Sequence, residues 1–319
     1  MSSLVFLDPA YPAGRLADIN APQLPVTLQG VNRGDGVFES MLYTQQAVRK
    51  IEAHLARLAV SAEASDLPVP DERSWRAAVD TAVADFDATG GAEEAVVKLV
   101  AMRGELDQDP AVCWVTVTPA PRVGMEQRET GVDVLFLDRG YDSKLAERAP
   151  WLLMGAKTLS YAVNMAALRY ARKHGAHEVI FTSADGVVLE APTATVLLAQ
   201  RDGETRRLLT PMLETGILPG TTQSAIFDAA QQDGWELGYG PLRPEDLYQA
   251  DGVWLVSSVR LLTPVRTLDA KPIRMDAELH EQLSALADSI RSPRLPDQVV
   301  GPGPDGGRDG RGAQQDAGG

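Results

Sequence analysis

The sequence has few of the residues that build disulfides, metal centres or nucleic-acid interfaces. Its one cysteine, Cys113, excludes an intramolecular disulfide, and its four scattered histidines show no metal-ligand spacing. The formal net charge of −14 argues against a nucleic-acid or membrane-surface partner, since both recruit cationic proteins. No apolar run approaches the length of a membrane span, and the N-terminus lacks a basic segment followed by an apolar core. We therefore expect a cytoplasmic protein without metal, nucleic-acid or membrane partners.

Lysine is also scarce, with six lysines against 24 arginines, and one of them has an unusual sequence environment. Lys157 follows the apolar run Trp151-Leu-Leu-Met-Gly-Ala156, and no carboxylate occurs within nine residues on either side. Burial among such residues lowers the pKa of a lysine, which frees its amine to form a Schiff base and to move protons. The alternative is a surface lysine whose aliphatic stem covers apolar neighbours while its ammonium stays in water.

The length of 319 residues is enough for one large domain or two ordinary ones. The segment 119–131 begins with Pro119-Ala-Pro121 and interrupts the pattern of regular elements. We therefore predict a small N-terminal domain over 1–120 and a larger C-terminal domain over 121–292. Beyond these the chain is rich in glycine, proline and aspartate, which predicts a disordered tail over 293–319.

Hydrophobic periodicity predicts the regular elements of both domains. Apolar residues at three- and four-residue spacing predict helices over 51–67, 72–86, 161–173 and 221–233. Apolar runs bounded by turn residues predict strands over 37–43, 95–102, 112–118, 132–137, 178–182, 187–190, 195–199 and 252–258. The glycine-punctuated segment 30–36 is predicted to be a loop. Together these elements indicate an α/β (α+β) protein whose second half contains a mostly antiparallel sheet.

Three further features carry side chains suited to a cofactor. Gly220-Thr-Thr222 enters the helix predicted over 221–233, where free amides favour phosphate; the alternative is an ordinary threonine cap. Glu190 ends an apolar run, so it needs a protonated pyridine nitrogen, a structural arginine or solvent exposure. The guanidinium of Arg57 suits phosphate, although a helical arginine usually faces water. A lysine, a carboxylate and a phosphate site are the groups that pyridoxal phosphate requires from a protein.

The order of the motifs along the chain is the next observation. They are Arg33-Gly-Asp-Gly-Val-Phe-Glu39, His54-Leu-Ala-Arg-Leu58, Met102-Arg103-Gly104, Lys157-Thr-Leu-Ser-Tyr161, Glu190, Gly220-Thr-Thr222 and Ser257-Ser-Val-Arg-Leu261. In this order they resemble the class IV aminotransferases. That family uses pyridoxal phosphate and includes branched-chain and D-amino-acid aminotransferases and 4-amino-4-deoxychorismate lyase. The resemblance extends over about residues 30–265.

The resemblance implies roles for the residues that match the family's cofactor site. Lys157 matches the lysine that forms the Schiff base and shuttles protons. Glu190 matches the carboxylate that keeps the pyridine nitrogen protonated. The residues that match the phosphate site are Arg57, Thr221, Thr222 and Ser258.

The resemblance also implies a substrate side of the pocket. Phe38 matches an aromatic residue that faces the cofactor. Lys98 and Arg103 match positions near the substrate in lyase-like members, although Lys98 could equally be a solvated strand residue. Arg33 stands where many members have an aromatic residue, and with the other two cations it would suit a substrate with two carboxylates.

Substrate choice follows from the same motifs. Branched-chain enzymes tend to carry Gly-Gly after the lysine, whereas this chain has Leu159-Ser160 there. We therefore expect a 4-amino-4-deoxychorismate lyase, which releases pyruvate and forms 4-aminobenzoate for folate synthesis. A branched-chain or D-amino-acid aminotransferase, an enzyme with both activities, and a non-catalytic relative remain alternatives. The resemblance further implies a homodimer that acts on a small amino substrate, with the cofactor in the cleft between the two domains.

Overall fold

The computed structural model describes residues 2–291, and the predicted tail over 293–319 lies outside them. Its first half contains one sheet, here called the N-terminal sheet. The strands are β1 (Ser3–Asp8), β2 (Tyr11–Leu16), β3 (Gly36–Thr44), β4 (Ala47–Val48), β5 (Glu94–Met102) and β6 (Val112–Pro119). They lie in the order β2-β1-β6-β5-β3-β4, and all of these pairings are antiparallel.

Helices in this half are α1 (Gln29–Arg33), α2 (Ile51–Ala64) and α3 (Glu72–Ala88). The start of α3 is fixed by Asp71, whose side chain accepts a hydrogen bond of 2.8 Å from the Ser74 amide. The apolar faces of α2 and α3 bury Leu58, Trp75 and Phe86 against the N-terminal sheet, which forms one hydrophobic core.

The second half contains another sheet, here called the C-terminal sheet. Its strands are β7 (Val132–Asp138), β8 (Glu178–Thr182), β9 (Thr195–Asp202), β10 (Thr205–Pro211), β11 (Glu236–Gly240), β12 (Gly252–Ser257), β13 (Leu261–Leu268) and β14 (Lys271–Pro272). The order is β11-β10-β9-β12-β13-β7-β8, with β14 paired to β13. Four of its seven pairings are antiparallel, and the other three are parallel.

Six helices accompany the C-terminal sheet within the described residues. They are α4 (Arg122–Thr130), α5 (Leu145–Arg148), α6 (Ala162–Lys173), α7 (Thr221–Gln232), α8 (Pro244–Gln249) and α9 (Ala277–Arg291). Single 3-10 turns lie at Pro150–Leu152 and Leu213–Thr215. No helix within residues 2–291 has both the length and the apolar composition that crossing a bilayer requires.

The predicted α/β (α+β) class is confirmed, and so are the four predicted helices and most of the predicted strands. The helix predicted over 51–67 ends earlier, at Ala64, and the strand over 195–199 continues to Asp202. The division into domains at residue 120 stays a prediction.

Three local predictions are wrong. The predicted loop over 30–36 contains most of α1, and the predicted break over 119–131 contains α4. The structure shows no strand over 187–190, because the amides of this segment donate hydrogen bonds to two different parts of the chain. The Val188 amide donates to the Leu242 carbonyl and the Leu189 amide to the Phe181 carbonyl, so no continuous ladder forms.

Candidate active site

Lys157 lies in a segment without regular secondary structure that is hydrogen-bonded to the N-terminal sheet. The Phe38 amide donates to the Lys157 carbonyl at 3.0 Å, and Val37 forms a bridge with Thr158. The Lys157 amide donates to the Ser61 hydroxyl on α2, also at 3.0 Å. The main chain of the lysine is therefore held by both the edge of β3 and the helix beside it.

The side chain of Lys157 shares an aromatic ring with a second lysine. Its Nζ lies 4.5 Å from the centre of the Phe38 ring, and the Nζ of Lys98 lies 4.9 Å from the same centre. Burial lowers the pKa of Lys157 to about 8; Glu39 and Glu190 oppose this change, whereas Arg57 and Lys98 reinforce it. The amine can therefore lose its proton near neutral pH. The pKa of Lys98 is lowered by burial as well.

Glu190 is a carboxylate with an incomplete set of partners. Its Oε2 accepts one hydrogen bond, of 3.1 Å, from the Leu218 amide. Burial raises the pKa of Glu190 to about 7, although the Leu218 bond and the charges of Lys157, Arg139 and Arg57 act in the opposite direction. The guanidinium of Arg139 lies over the Phe181 ring, 4.4 Å from its centre. A further cationic group beside Glu190 would restore its ionised form.

Arg57 projects from α2 and bonds to a carboxylate that the sequence interpretation missed. Its Nε and Nη2 donate to the two oxygens of Glu39 at 2.7 and 2.8 Å. Its Nη1 donates to the Pro219 carbonyl at 2.6 Å, in the loop that enters α7. Glu39 is fully buried on β3 and also bonds to Nδ1 of His54 at 2.6 Å. Arg57 thus connects α2 to the loop that the phosphate prediction selected.

Hydroxyl groups from two separate parts of the C-terminal half meet at the start of α7. The Ser258 Oγ lies 3.2 Å from Thr221 Oγ1 and 3.3 Å from Thr222 Oγ1. His54 Nε2 joins this cluster, 3.1 Å from the Ser258 hydroxyl and 3.2 Å from that of Thr221. Gly220 caps α7 without a side-chain hydrogen bond, so the amides of the first turn are available to an anion.

This cluster fits a phosphate by its geometry as well as by its donors. A Cβ on Gly220 would lie 2.5 Å from the Thr195 Oγ1, so only glycine lets the loop pack this closely against β9. Arg57 borders the three hydroxyls and the amides of α7, and together they form a donor-rich cradle, although the charge of Arg57 is paired with Glu39. Together with the Lys157 amine and the Glu190 carboxylate, the residues present fit pyridoxal phosphate.

The structure brings the predicted cofactor residues together but separates the predicted substrate residues into two places. Phe38 and Lys98 lie with Lys157, as described above. Arg33 is exposed at the end of α1 and lines cavities of ≈ 480 and ≈ 530 Å³. Arg103 lines the second of these, and its guanidinium donates to Asp35 at 2.8 Å and to the main-chain carbonyls of Ser65 and Asp66. Arg103 is therefore already occupied by internal partners.

Glu39 and His54 are the site residues that the sequence interpretation missed. Both stood in recognised motifs, yet neither was assigned a role. A signal was present for each of them. Glu39 alternates with the apolar Val37 and Met41 and so shares their buried face of β3. His54, Arg57 and Ser61 recur at helical spacing, which forms a polar stripe on the inward side of α2.

Comparisons with known proteins identify the family of the chain. The family model for amino-transferase class IV matches residues 36–268. The chain belongs to the class IV aminotransferases. It is 44% identical, over 75% of its length and 83% of the relative's, to a bifunctional aminodeoxychorismate lyase / D-amino acid transaminase from Mycobacterium tuberculosis.

Two solved structures extend the likeness to the whole fold. A hypothetical aminotransferase from Mycobacterium tuberculosis in its PLP-bound form is 39% identical, with a TM-score of 0.85 over 91% of this chain and 98% of that one. A fold IV transaminase from Curtobacterium pusillum is 40% identical, with a TM-score of 0.83 over 90% and 98% of the two chains. Class IV aminotransferases use pyridoxal phosphate, so this protein is a pyridoxal-phosphate-dependent aminotransferase or lyase.

Proposed function

We propose that this class IV enzyme is a 4-amino-4-deoxychorismate lyase, which forms 4-aminobenzoate and pyruvate. The observation that carries the proposal is the second lysine beside the reactive one. Lys98 is partly buried, lies over the same Phe38 ring as Lys157, and has no carboxylate partner among residues 2–291. A partly buried ammonium without a carboxylate partner among residues 2–291 suits a substrate that carries a carboxylate beyond its amine.

Lys157 has the protonation behaviour that the lyase reaction requires. With a pKa of about 8, roughly one amine in ten is neutral at pH 7 and can accept a proton. Lys157 would remove the proton from the substrate carbon that bears the amine. The C–O bond to the enolpyruvyl group then breaks, the six-membered ring becomes aromatic, and a proton delivered to the departing group gives pyruvate. The reaction is redox-neutral and needs no co-substrate.

The remaining residues of the site would hold pyridoxal phosphate in place. Arg57, Thr221, Thr222 and Ser258 would bind its phosphate, and Glu190 would bind its ring nitrogen. When bound, the cofactor supplies an electron-withdrawing ring that stabilises negative charge on the reacting carbon of the substrate.

A second candidate is transfer of the amino group from a D-amino acid to a 2-oxo acid. Two observations favour it: the name of the 44% identical relative includes that activity, and Arg103 is bound to Asp35. With Arg103 paired to Asp35, Lys98 is a cation that shares the Phe38 ring with Lys157 and has no carboxylate partner among residues 2–291, which also suits a substrate with a single additional carboxylate.

The test is a parallel assay of one enzyme preparation with both substrate classes. With 4-amino-4-deoxychorismate alone, we expect equal amounts of pyruvate and 4-aminobenzoate, measured by coupled reduction of pyruvate and by chromatography. Amino transfer from a panel of L- and D-amino acids to 2-oxoglutarate, without any 4-aminobenzoate, would show that the lyase proposal is wrong. Lys157→Ala should abolish both reactions while leaving the protein folded.

Lys98→Met separates substrate binding from cofactor chemistry. We expect a higher KM for 4-amino-4-deoxychorismate, roughly tenfold for the loss of a charge-assisted contact, with the cofactor still bound. Lys271→Met is the matched control, since Lys271 also lies over an aromatic ring, that of Tyr248, but far from the site. A variant with unchanged KM would remove the main support for the lyase proposal.

The cellular setting and assembly belong to the same proposal. The product would serve folate synthesis in the cytoplasm, and the enzyme would act as a homodimer of two-domain subunits divided near residue 120. Large apolar side chains that are exposed in the single chain, such as Trp151 and Val163, support an assembled state.

A further inference from the structure

The turn between β12 and β13 carries one of the hydroxyls of the phosphate cradle. Ser258 belongs to this turn and contacts Thr221, Thr222 and His54 through its side chain. The turn ends at Leu261, whose φ of 58° is a left-handed conformation that leucine adopts at an energetic cost. Contacts from outside the turn must therefore hold it in this shape.

Those contacts come mainly from Arg128 on α4. Its Nη2 donates to the Val259 carbonyl at 2.7 Å, and its Nε donates to the Arg260 carbonyl at 3.1 Å. The same guanidinium forms a two-point pair with Glu94 on β5, with distances of 2.9 and 2.7 Å. All three nitrogen atoms of Arg128 therefore have partners, and these partners lie in both halves of the chain.

Because the Arg128–Glu94 pair is buried, no other side chain can easily take the place of Arg128. The Glu94 side chain is fully buried, and that of Arg128 is 15% exposed. A lysine at position 128 could neutralise Glu94 but could not also reach two carbonyls in the fixed geometry of a guanidinium. The next residue of the turn is fixed as well, since the Arg260 side chain pairs with the buried Glu178 at 2.7 Å.

We propose that Arg128 is a positioning residue for the phosphate site, because it holds the turn that presents Ser258 to the start of α7. The proposal rests on the phosphate-binding role given above to Ser258. The segment around Arg128 was expected to be a break between domains. This segment also contributes a side chain that joins the N-terminal sheet to the turn at the cradle.

The phosphate-free aldehyde pyridoxal allows a test that general damage to the fold would not mimic. Apo protein is titrated with pyridoxal phosphate and with pyridoxal, and the ratio of the two Kd values measures the contribution of the phosphate site. For Arg128→Lys we expect the Kd of pyridoxal phosphate to rise about tenfold, as for the loss of one charge-assisted hydrogen bond, while the Kd of pyridoxal stays nearly constant.

A double-mutant cycle identifies Ser258 as the group through which Arg128 acts. Ser258→Ala should change the Kd ratio on its own, and adding Arg128→Lys to it should change the ratio by less than about threefold. Arg206→Lys is the control, since Arg206 also donates to a carboxylate and a carbonyl, both of Asp233, but lies far from the turn. It should leave the ratio unchanged.

Three outcomes would overturn the inference. Equal weakening of both aldehydes by Arg128→Lys would mean general destabilisation, and additive effects of the two substitutions would mean independent roles. If Ser258→Ala leaves the ratio unchanged, the phosphate assignment of Ser258 is wrong and the role of Arg128 falls with it. None of these results depends on which substrate the enzyme uses, so the lyase proposal is tested separately.

Discussion

Two carboxylates near Lys157 differ in how completely the protein satisfies them. Glu39 bonds to both Arg57 and His54, and these partners outweigh the effect of burial and hold its pKa at about 2. Glu190 receives one amide hydrogen bond, and burial raises its pKa to about 7. The protein neutralises the charge of Glu39 by itself, whereas it leaves Glu190 in need of a positive partner.

This difference indicates that Glu39 has a structural role, whereas Glu190 is available to a ligand. A buried carboxylate with two strong partners is needed to compensate their charges, and removing it is destabilising. A carboxylate left under-satisfied in the interior lowers stability until a ligand supplies the missing charge. The protonated ring nitrogen of pyridoxal phosphate would supply the positive charge that Glu190 needs as a partner.

The largest predicted effect is the loss of catalytic rate on replacement of Glu190. Glu190→Gln should lower kcat by about 10³-fold, as expected for loss of one preorganised charged group, while retaining part of the cofactor affinity through the phosphate site. Steady-state kinetics and cofactor titration measure the two quantities. A variant with near-normal kcat would show that Glu190 is not the partner of the ring nitrogen.

In the apo protein, Glu190→Gln should not lower thermal stability at alkaline pH, in contrast to its loss of catalytic activity. Because the folded pKa of Glu190 lies above its ordinary value, its contribution to stability is present below about pH 4.5 and is lost as the pH rises through about 7. At pH 8, apo Glu190→Gln should therefore melt at the same or a higher temperature than the parent. Thermal melts at pH 5 and pH 8 give the comparison.

Replacement of Glu39 should reduce stability more than chemistry. Glu39→Gln breaks a buried pair, which should cost about 3 kcal/mol of the free energy of unfolding at neutral pH. The folded pKa of Glu39 lies below its ordinary value, so its stabilisation is present above about pH 4.5 and is lost as the pH falls toward about 2. Denaturant unfolding from pH 7 to pH 3 should show a smaller acid-induced loss in the variant.

The matched control for this effect is an exposed ion pair. Glu236 pairs with Arg207 at 2.8 Å on the surface, and Glu236→Gln should cost less than about 0.5 kcal/mol. If the two substitutions cost the same, the contrast between Glu39 and Glu190 would not come from burial and pairing.

The smallest predicted effect is that of Lys98 on the pKa of Lys157. Both carboxylates raise the pKa of Lys157, whereas Lys98 lowers it. Removing that charge in Lys98→Met should raise the pKa of Lys157, roughly by a few tenths of a unit. The rate at which the apo enzyme captures pyridoxal phosphate, followed against pH, should then reach its midpoint at higher pH. A midpoint that moves to lower pH would contradict the mutual placement of the two lysines.

The sequence predicts those parts of the candidate site that local patterns mark. Lys157 stood out by its apolar context, and Gly220 to Thr222 by their place before a helix. The chemistry of Glu190 and Arg57 marked them as candidates, and the resemblance to the family then added Ser258. These residues are found because their local surroundings resemble those in other members of the family.

Pairings between distant residues were not predictable in the same way. The sequence predicts Arg103 as a substrate residue, but nothing local indicates that it pairs with Asp35 and donates to main-chain carbonyls just beyond the end of α2. Arg128 was overlooked because its partner Glu94 lies 34 residues away. The strand predicted over 187–190 failed for a related reason, since the partners of its amides are set by tertiary packing.

The attachment of Lys157 to β3 has a mechanical consequence. The reactive amine is fixed to the N-terminal half through Phe38, while Thr221, Thr222 and Ser258 belong to the C-terminal half. A cofactor held by Lys157 and by these hydroxyls would therefore contact both halves of the chain. Any movement that separates the halves would pull the aldehyde end and the phosphate end of the cofactor apart.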